Sequence, residues 1–525
     1  MNGRQNQFIL TLPDVLQKSA SLFPEKPAVI EGARSISYKD LEARSNSLAH
    51  YLIEKGIKKG DRVGIFLDKS IESVLSIWGI LKAGGIFVYI NPHLTTEQVR
   101  YHIENCSMKC VISSDKKKIA LGTLECCVII NCKDFESIFI NYASGAVHTV
   151  DLIETDLAAI LYTSGSTGFP KGAVFNHKNL ILGTQIVASY LENTEEDVII
   201  SVLPFNFDYG LNQLFTALLV GGQLVLQKAM FSNEICRTLI DKQITGFAGV
   251  PTIWIQLLQE DICSFKYLEF PKLRYITNSG GGLPVPCLTE LRKVLKSTKI
   301  YLMYGLTEAF RSTYLPPKEL DRRPTSIGKA IPNVQISVIN KEGKECAPGE
   351  EGELVHRGGV IFQGYWDNPE ATEKVLKPFP FAPKELCARE MAVWSGDTVK
   401  RDKDGFLYFI GRNDEMIKSA GNRISPQEIE TVLYRMEEIK EVVVFGIKDD
   451  MLGNKIKAVV SLKTDKRAPP QDIKEYCKKA LPYYMVPQDI VIMDELPKTV
   501  TGKLDRVRVK QLHTNVQPRS ENKVL

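Results

Sequence analysis

Between about residues 60 and 310, short apolar runs alternate with segments of helical period, and this alternation restricts the fold more than any other feature of the chain. DRVGIFL reads as a strand, IESVLSIWGILKAGG as an amphipathic helix ended by Gly84 and Gly85, GIFVYIN as a strand, TTEQVRYHIENC as a helix and CVISS as a strand. The order resumes with LAAILYTS, NLILGTQIVASYL and DVIISVLP, then runs through SNEICRTLIDKQ, TGFAGVP, LRYITNSGG, PCLTELRKVL and KIYLMYG. Strands alternating with helices pack as parallel sheets with helices on their faces. Ligands bind beyond the carboxyl ends of such strands. Three loops of small polar residues occupy those ends: TSGSTG after AAILY, NSGGGLP after LRYI and YGLTEA after KIYLM.

Near residue 320 the pattern changes. IGKAIPNVQISVIN, GELVHRGG and GFLYFIGR read as strands with turns at EGKE and KDGF, an antiparallel or barrel-like portion. A compact α+β pattern follows GRNDEMIKSAGNR, in PQEIETVLYRM, EVVVFGIKDD, IKAVVSLK, DIKEYCKKAL and DIVIMDELP. The expected class is α/β. A large N-terminal domain, 1–411, holds mixed, mostly parallel sheets flanked by helices, with the barrel-like portion at its end. A linker at 412–414 leads to a small α+β domain, 415–513, and a frayed tail, 514–525.

Composition narrows the partners. The 525 residues exceed one ordinary domain, and 44% hydrophobic with 24% charged content supplies a large core. A net charge of +4 on scattered lysines gives no basis for a nucleic-acid partner. No apolar run reaches the ~18 residues of a membrane span; LFTALLVGGQLVL is broken by Gly221, Gly222 and Gln223. MNGRQNQFILTLPDVL lacks a signal-peptide pattern, and Asn2 and the terminal ENKVL carry no lipidation motif. The 11 cysteines form no C-x-x-C pair and no zinc spacing, which fits a reducing, cytoplasmic setting.

In LYTSGSTGFPKG, hydroxyls of Thr163, Ser164, Ser166 and Thr167 stand with Gly165, Gly168 and Gly172 before the cation of Lys171. This set suits a polyphosphate. It is not the P-loop order, because no Ser or Thr follows the lysine and a short strand precedes the next helix. YGLTEA brings Tyr304, Gly305, Thr307 and Glu308 to a strand end. Magnesium binds through one or two carboxylates plus substrate phosphates, a role open to Glu308. Asp397 and Arg412 flank β structure, and a carboxylate there can accept from ribose hydroxyls. Gly421 turns beside Arg423, and Lys503 follows a Thr-Gly turn in PKTVTGKLDR, where alone it reads as a solvated lysine.

Taken in order, LYTSGSTGFPKG, YGLTEA, SGD, GRNDEMIKSAGNRISPQEIE and PKTVTGK resemble the signature set of the adenylate-forming superfamily. That superfamily includes acyl-CoA synthetases, peptide-synthetase adenylation domains and firefly luciferase. LPFNFDYGLNQLF, RYITNSGGGLP and YGLTEAFRSTYLPPKELDRRPTSIGKAIPN are most similar to stand-alone bacterial acyl-CoA ligases, including the exosortase-associated type, and to ligases that load an amino acid onto a carrier protein.

The resemblance implies that a carboxylate attacks the α-phosphorus of ATP, giving an acyl-adenylate and pyrophosphate, after which a thiol takes the acyl group and AMP leaves. Thr163, Ser164, Gly165, Ser166, Thr167 and Lys171 would cradle the leaving phosphates. Thr307 and Glu308 would position the α-phosphate and Mg²⁺, beside Tyr304 and Gly305. Gly280, Gly281 and Gly282 would let adenine lie on the backbone, and Asp397, Arg412 and Arg423 would complete the nucleotide site. Lys503 would bridge the two anionic reactants. The small domain would then turn about Asp414, bringing the Gly421 loop to admit a pantetheine arm. The thiol would be coenzyme A or, alternatively, the phosphopantetheine of an acyl or peptidyl carrier protein. A regulator without chemistry and a luciferase-like oxygenase are more distant readings.

Phe207, Asp208, Tyr209 and Asn212 are the candidate acid pocket. Asp208 reads either as a structural hydrogen-bonding residue or as the partner of an amino acid's ammonium. A buried carboxylate needs a cation in either case. His177 is expected to anchor the junction before the following helix rather than to act chemically.

Overall fold

The computed structural model describes residues 9–117, 127–142, 150–163, 170–228, 231–259, 264–383, 385, 387–412, 415–419, 422–449, 453–499 and 502–514. Two large sheets form the N-terminal domain. In the nine-stranded sheet, Pro27–Glu31, Gln223–Leu226, Val198–Ser201, Gly246–Gly249, Tyr275–Asn278 and Lys299–Tyr304 run parallel side by side. Antiparallel strands close its two edges. The six-stranded sheet has the order Val128–Asn131, Cys110–Ser113, Arg62–Phe66, Ile86–Tyr89, Leu157–Thr163 and Lys171–Asn176, with only the last antiparallel. The mixed, mostly parallel arrangement is the one expected.

Register explains why the loops meet. Gly249 lies opposite Asn278, and Asn278 opposite Leu302, so three successive strands end at one edge. The loops beginning at Val250, Ser279 and Gly305 leave from that edge together.

The helix Ile71–Lys82 departs from expectation. It is buried at ten of its twelve positions, not amphipathic. It packs against helices Leu12–Leu22 and Tyr38–Glu54 and against strands of both large sheets. Gly79 permits that approach: a Cβ there would stand 2.7 Å from Leu48 Cδ2. A helix covered on every side carries apolar residues all round.

The barrel-like portion is a five-stranded antiparallel sheet built from Val334–Ile339, Glu351–Gly358, Met391–Arg401, Leu376–Pro378 and Leu407–Arg412. The C-terminal domain sets Ile439–Asp449, Gly453–Leu462 and Asp489–Ile492 in one sheet, covered by helices Pro426–Leu433 and Pro470–Ala480 around their own core. Its last helix, Arg506–Thr514, extends one residue into the segment expected to fray. Among the described residues, no helix is long and apolar enough to cross a membrane.

His177 has the anchoring place expected of it. Buried at the start of helix His177–Tyr190, its Nδ1 accepts from the Leu12 amide at 3.0 Å. Burial lowers its pKa to about 4, so the ring is neutral and serves as an acceptor.

Candidate active site

Thr163 ends its strand directly opposite Lys171, and its Oγ1 donates to the Lys171 carbonyl at 3.5 Å. Ser164, Gly165, Ser166 and Thr167 lie outside the described residues. Gly172 is required because a Cβ there would meet Ile160 Cγ2 at 2.6 Å. The Lys171 ammonium stands 5.5 Å from the centre of the Tyr365 ring, and the Tyr365 hydroxyl donates to Glu308 Oε1. Lys171 and Glu308, far apart in sequence, thus meet at one aromatic ring. Tyr365 is fixed by its neighbours: Val174 N donates to Gly364 O at 3.0 Å and Trp366 N to Gly172 O at 2.8 Å. Burial, then the Glu308 charge, pushes the Tyr365 hydroxyl well above its ordinary pKa, so it remains a donor. Thr307 and Glu308 share a single 3₁₀ turn, held where Phe362 N donates to Glu308 O at 2.9 Å. Gly305, just before that turn, backs onto Arg311, whose Cα would lie 3.4 Å from a Cβ there.

A second group forms where the large sheet meets the barrel-like portion. Asp397 and Arg412 are cross-strand partners in register. Arg412 Nε donates to Asp397 Oδ1 at 2.9 Å, and the Tyr304 hydroxyl donates to Oδ2 at 2.5 Å. Asp397 is only 5% exposed. Burial raises its pKa, while Arg412 and Tyr304 hold it back, and the net direction is upward. Burial, with the Asp397 charge next to it, raises the Tyr304 hydroxyl strongly.

The third group joins the two domains. Gly280 sits at φ +76°, in the left-handed region that favours glycine. A Cβ there would lie 2.5 Å from Lys503 Cε and 2.8 Å from its Nζ, so the lysine uses the space a side chain would fill. Gly281 faces Pro251, and Gly282 faces Gln427 of the C-terminal domain. Lys503 arrives on a tight turn in which Lys503 N donates to Thr499 Oγ1 at 3.2 Å and Gly502 takes φ +80°. The Thr252 hydroxyl donates to Gly502 O, tying the turn to the large domain. Behind it, Arg506 NH1 donates to Glu430 Oε1 at 2.7 Å and fixes the next helix. The Lys503 ammonium ends 4.4 Å from the centre of the Phe207 ring. Burial lowers its pKa; Asp208 raises it in part, and Arg311 and Arg412 oppose that. Arg423 pairs through its backbone with Lys418 in a short hairpin. Asp414 and Gly421 lie outside the described residues.

The fourth group is the acid side. Phe207 precedes the buried helix Asp208–Val220. Asp208 does have a cation: Arg311 NH1 donates to its Oδ2 at 2.7 Å, and both side chains are buried. The Arg311 guanidinium lies 4.9 Å from the Tyr209 ring and 5.2 Å from the Phe310 ring. The Tyr209 hydroxyl shares a 2.5 Å hydrogen bond with Thr277 Oγ1, and Asn212 Nδ2 donates to Thr184 Oγ1 at 3.4 Å. Sequence reading missed Arg311 and Tyr365. The demand of Asp208 for a cation was the available signal for the first; nothing comparable marked the second.

Strand-end loops gathered at one sheet edge, with a lysine from the C-terminal region set against them, are an arrangement suited to an acid-activating type of enzyme. Residues 16–366 match the model of the AMP-binding enzymes, and residues 428–503 that of the AMP-binding enzyme C-terminal domain. The chain belongs to the AMP-binding enzyme family and is an AMP-forming ligase of the acyl-CoA synthetase-like class. It is 29% identical over 545 residues to a long-chain-fatty-acid–CoA ligase of Bacillus subtilis (strain 168), covering 96% of this chain and 95% of the relative. It is 31% identical over 509 residues to surfactin synthase subunit 2 of the same organism, covering 94% of this chain but 14% of that much longer protein. In fold it is similar to the anthranilate CoA ligase AuaEII in complex with anthranoyl-AMP, with a TM-score of 0.86 at 24% identity over 98% of this chain and 99% of that one.

Proposed function

We propose that the protein joins a small carboxylic acid to ATP, releasing pyrophosphate, and passes the resulting acyl group from AMP to the thiol of coenzyme A. The observation that carries this reading is the place of Lys503, whose ammonium sits between the Gly280 turn on the nucleotide side and Phe207 on the acid side. Two anions must approach each other there, and a fixed cation between them lowers the barrier.

The residues fit the nucleotide. Asn278 Oδ1 is buried beside the glycine loop without a hydrogen-bond partner among the described residues, an acceptor suited to the exocyclic amine of a purine. Its amide donates to Gly281 O at 3.1 Å, which fixes that orientation. Asp397 and Arg412 would hold the ribose, Thr163 and Lys171 the outer phosphates, and Thr307 the α-phosphate. Among the described residues there is no group of three or more metal-binding side chains. Magnesium fits the single carboxylate of Glu308, because this ion keeps several waters and takes its other ligands from phosphates. Bound there, it would neutralise phosphate charge.

The full ATP–pyrophosphate exchange panel of fatty, aryl and amino acids tests the first half-reaction; thioester formation with free coenzyme A, against a phosphopantetheinylated carrier protein, tests the second. If none of these acids supports exchange, the proposal is overturned. The likeness to a peptide synthetase supports the alternative of an amino acid loaded onto a carrier protein, but Arg311 already occupies the carboxylate that such an ammonium would use.

One small domain must serve two half-reactions. By the family pattern, rotation about Asp414 exchanges Lys503 for the Gly421 loop. Proline at a hinge removes backbone freedom. Asp414→Pro should therefore keep exchange near wild type while coenzyme A-dependent product formation falls at least about tenfold. Equal loss of both half-reactions would remove Asp414 from this role.

A further inference from the structure

We infer that the acid pocket is built for a substrate carrying a neutral oxygen, a hydroxyl or oxo group, along its chain, and that Arg311 is the residue that selects it. This deepens the function proposed above and rests on it.

The backbone delivers Arg311 by a strained route. Phe310 adopts φ +53° and ψ −49°, and the Arg311 amide donates to Ala309 O at 2.5 Å, so the chain reverses within three residues. Non-glycine residues enter this region rarely, and such strain clusters at functional sites. The turn sends the Phe310 ring onto Gly183, where a Cβ would lie 2.4 Å from the ring, and sends Arg311 toward Asp208.

The guanidinium is incompletely used. NH1 donates to Asp208 Oδ2 at 2.7 Å and to Phe310 O at 2.5 Å. Nε and NH2 are buried and have no hydrogen-bond partner among the described residues. A guanidinium has five N–H donors, and a buried donor left unmet is costly. One helical turn beyond Asp208, Asn212 presents the complementary deficiency. Its Nδ2 donates to Thr184 Oγ1, which itself donates to Leu180 O at 2.7 Å, so the amide orientation is set and Oδ1 is buried without a partner among the described residues. Thr184 adjoins Gly183, on which Phe310 rests. Arg311 and Asn212 therefore both border the Gly183–Thr184 stretch, one through its neighbour Phe310 and the other directly.

Two rings connect Arg311 to the reaction point. Phe207 lies beneath the Lys503 ammonium, Tyr209 beneath the Arg311 guanidinium, and the two rings meet edge to face at 6.1 Å. Charge then selects the substrate class. Asp208 neutralises Arg311, so a second carboxylate would add a buried negative charge beside Asp208. An ammonium would face Arg311. A plain alkyl chain would leave the guanidinium donors dry. A neutral oxygen accepts from Arg311 and adds no charge, and a hydroxyl can also donate to an acceptor such as Asn212 Oδ1.

The test is ATP–pyrophosphate exchange by the full-length protein with acids matched in chain length: unsubstituted, hydroxy or oxo at each position, dicarboxylic and α-amino. Wild type should favour its best hydroxy or oxo acid over the unsubstituted acid by about 10⁴-fold in kcat/KM, the scale on which a site built around a hydrogen bond rejects a partner lacking it. The paired variant D208L/R311M removes both charges without leaving either buried alone, and should bring that ratio to within about threefold. If wild type treats oxygenated and unsubstituted acids alike, or prefers the dicarboxylic or amino acids, the inference is overturned while the proposed function stands. Retention of the preference by D208L/R311M also overturns the role of Arg311. If none of these acids supports exchange, the function and the inference fall together. If D208L/R311M does not fold, the wild-type ratio alone decides.

Discussion

Replacing Lys503 by alanine is expected to lower ATP–pyrophosphate exchange by about 10²- to 10³-fold while thioester formation from supplied acyl-adenylate largely survives. A unit charge about 4 Å from its partner, at an effective dielectric near 20, contributes roughly 4 kcal/mol. That corresponds to about a thousandfold in rate. The side chain sits where such a charge would act, filling the space above Gly280 and facing the Phe207 ring. The pH profile supplies an independent check. Burial lowers the pKa of this ammonium, and the bridging role needs the protonated form. In the free enzyme, kcat/KM for exchange should therefore fall as pH rises through a value below that of an ordinary lysine. Lys503→Arg should keep part of the activity and lose this alkaline limb, because a guanidinium stays charged across the range. Exchange within about threefold of wild type in Lys503→Ala would mean that the charge is not in the transition state.

The parallel sheets were legible because alternating strand and helix runs restrict topology, and the strand-end loops followed from them. The helix Ile71–Lys82 shows where sequence patterning misleads. Ser73 and Ser76 look like a wet face, yet Ser73 Oγ donates to Ser70 O at 2.8 Å and Ser76 Oγ to Glu72 O at 2.7 Å. Their hydroxyls are satisfied within the helix and need no water. Lys82, also polar, is held by Ser45 at 2.8 Å and Asn46 at 2.7 Å. In the site, motif residues could be named one by one, but their pairings depend on tertiary register. Asp397 meets Arg412 only because two strands align at those positions. Asp208 required a cation, yet that cation comes from 103 residues away, on a strained turn that no local pattern announces.

Glu308→Gln should lower kcat/KM for ATP by about 10²- to 10³-fold and raise the magnesium concentration needed for half-maximal exchange. The change preserves length and hydrogen-bonding shape and removes only the charge. In the function proposed above, Glu308 is the carboxylate that would hold the ion, whose other ligands would be phosphate oxygens and water. Losing an electrostatic contact of this kind costs about 3–4 kcal/mol in the transition state, which sets the expected range. The competing explanation is structural, because Glu308 also accepts from the hydroxyl of the half-buried Tyr365, whose ring lies under Lys171. Tyr365→Phe separates the two. It deletes one hydrogen bond, about 1 kcal/mol, and should reduce exchange only about fivefold with no change in the magnesium requirement. Thermal unfolding of both variants establishes that each is folded at the assay temperature. If Tyr365→Phe is as damaging as Glu308→Gln, or if the magnesium dependence of Glu308→Gln matches wild type, then the carboxylate serves to seat Tyr365 and the ion is held without it.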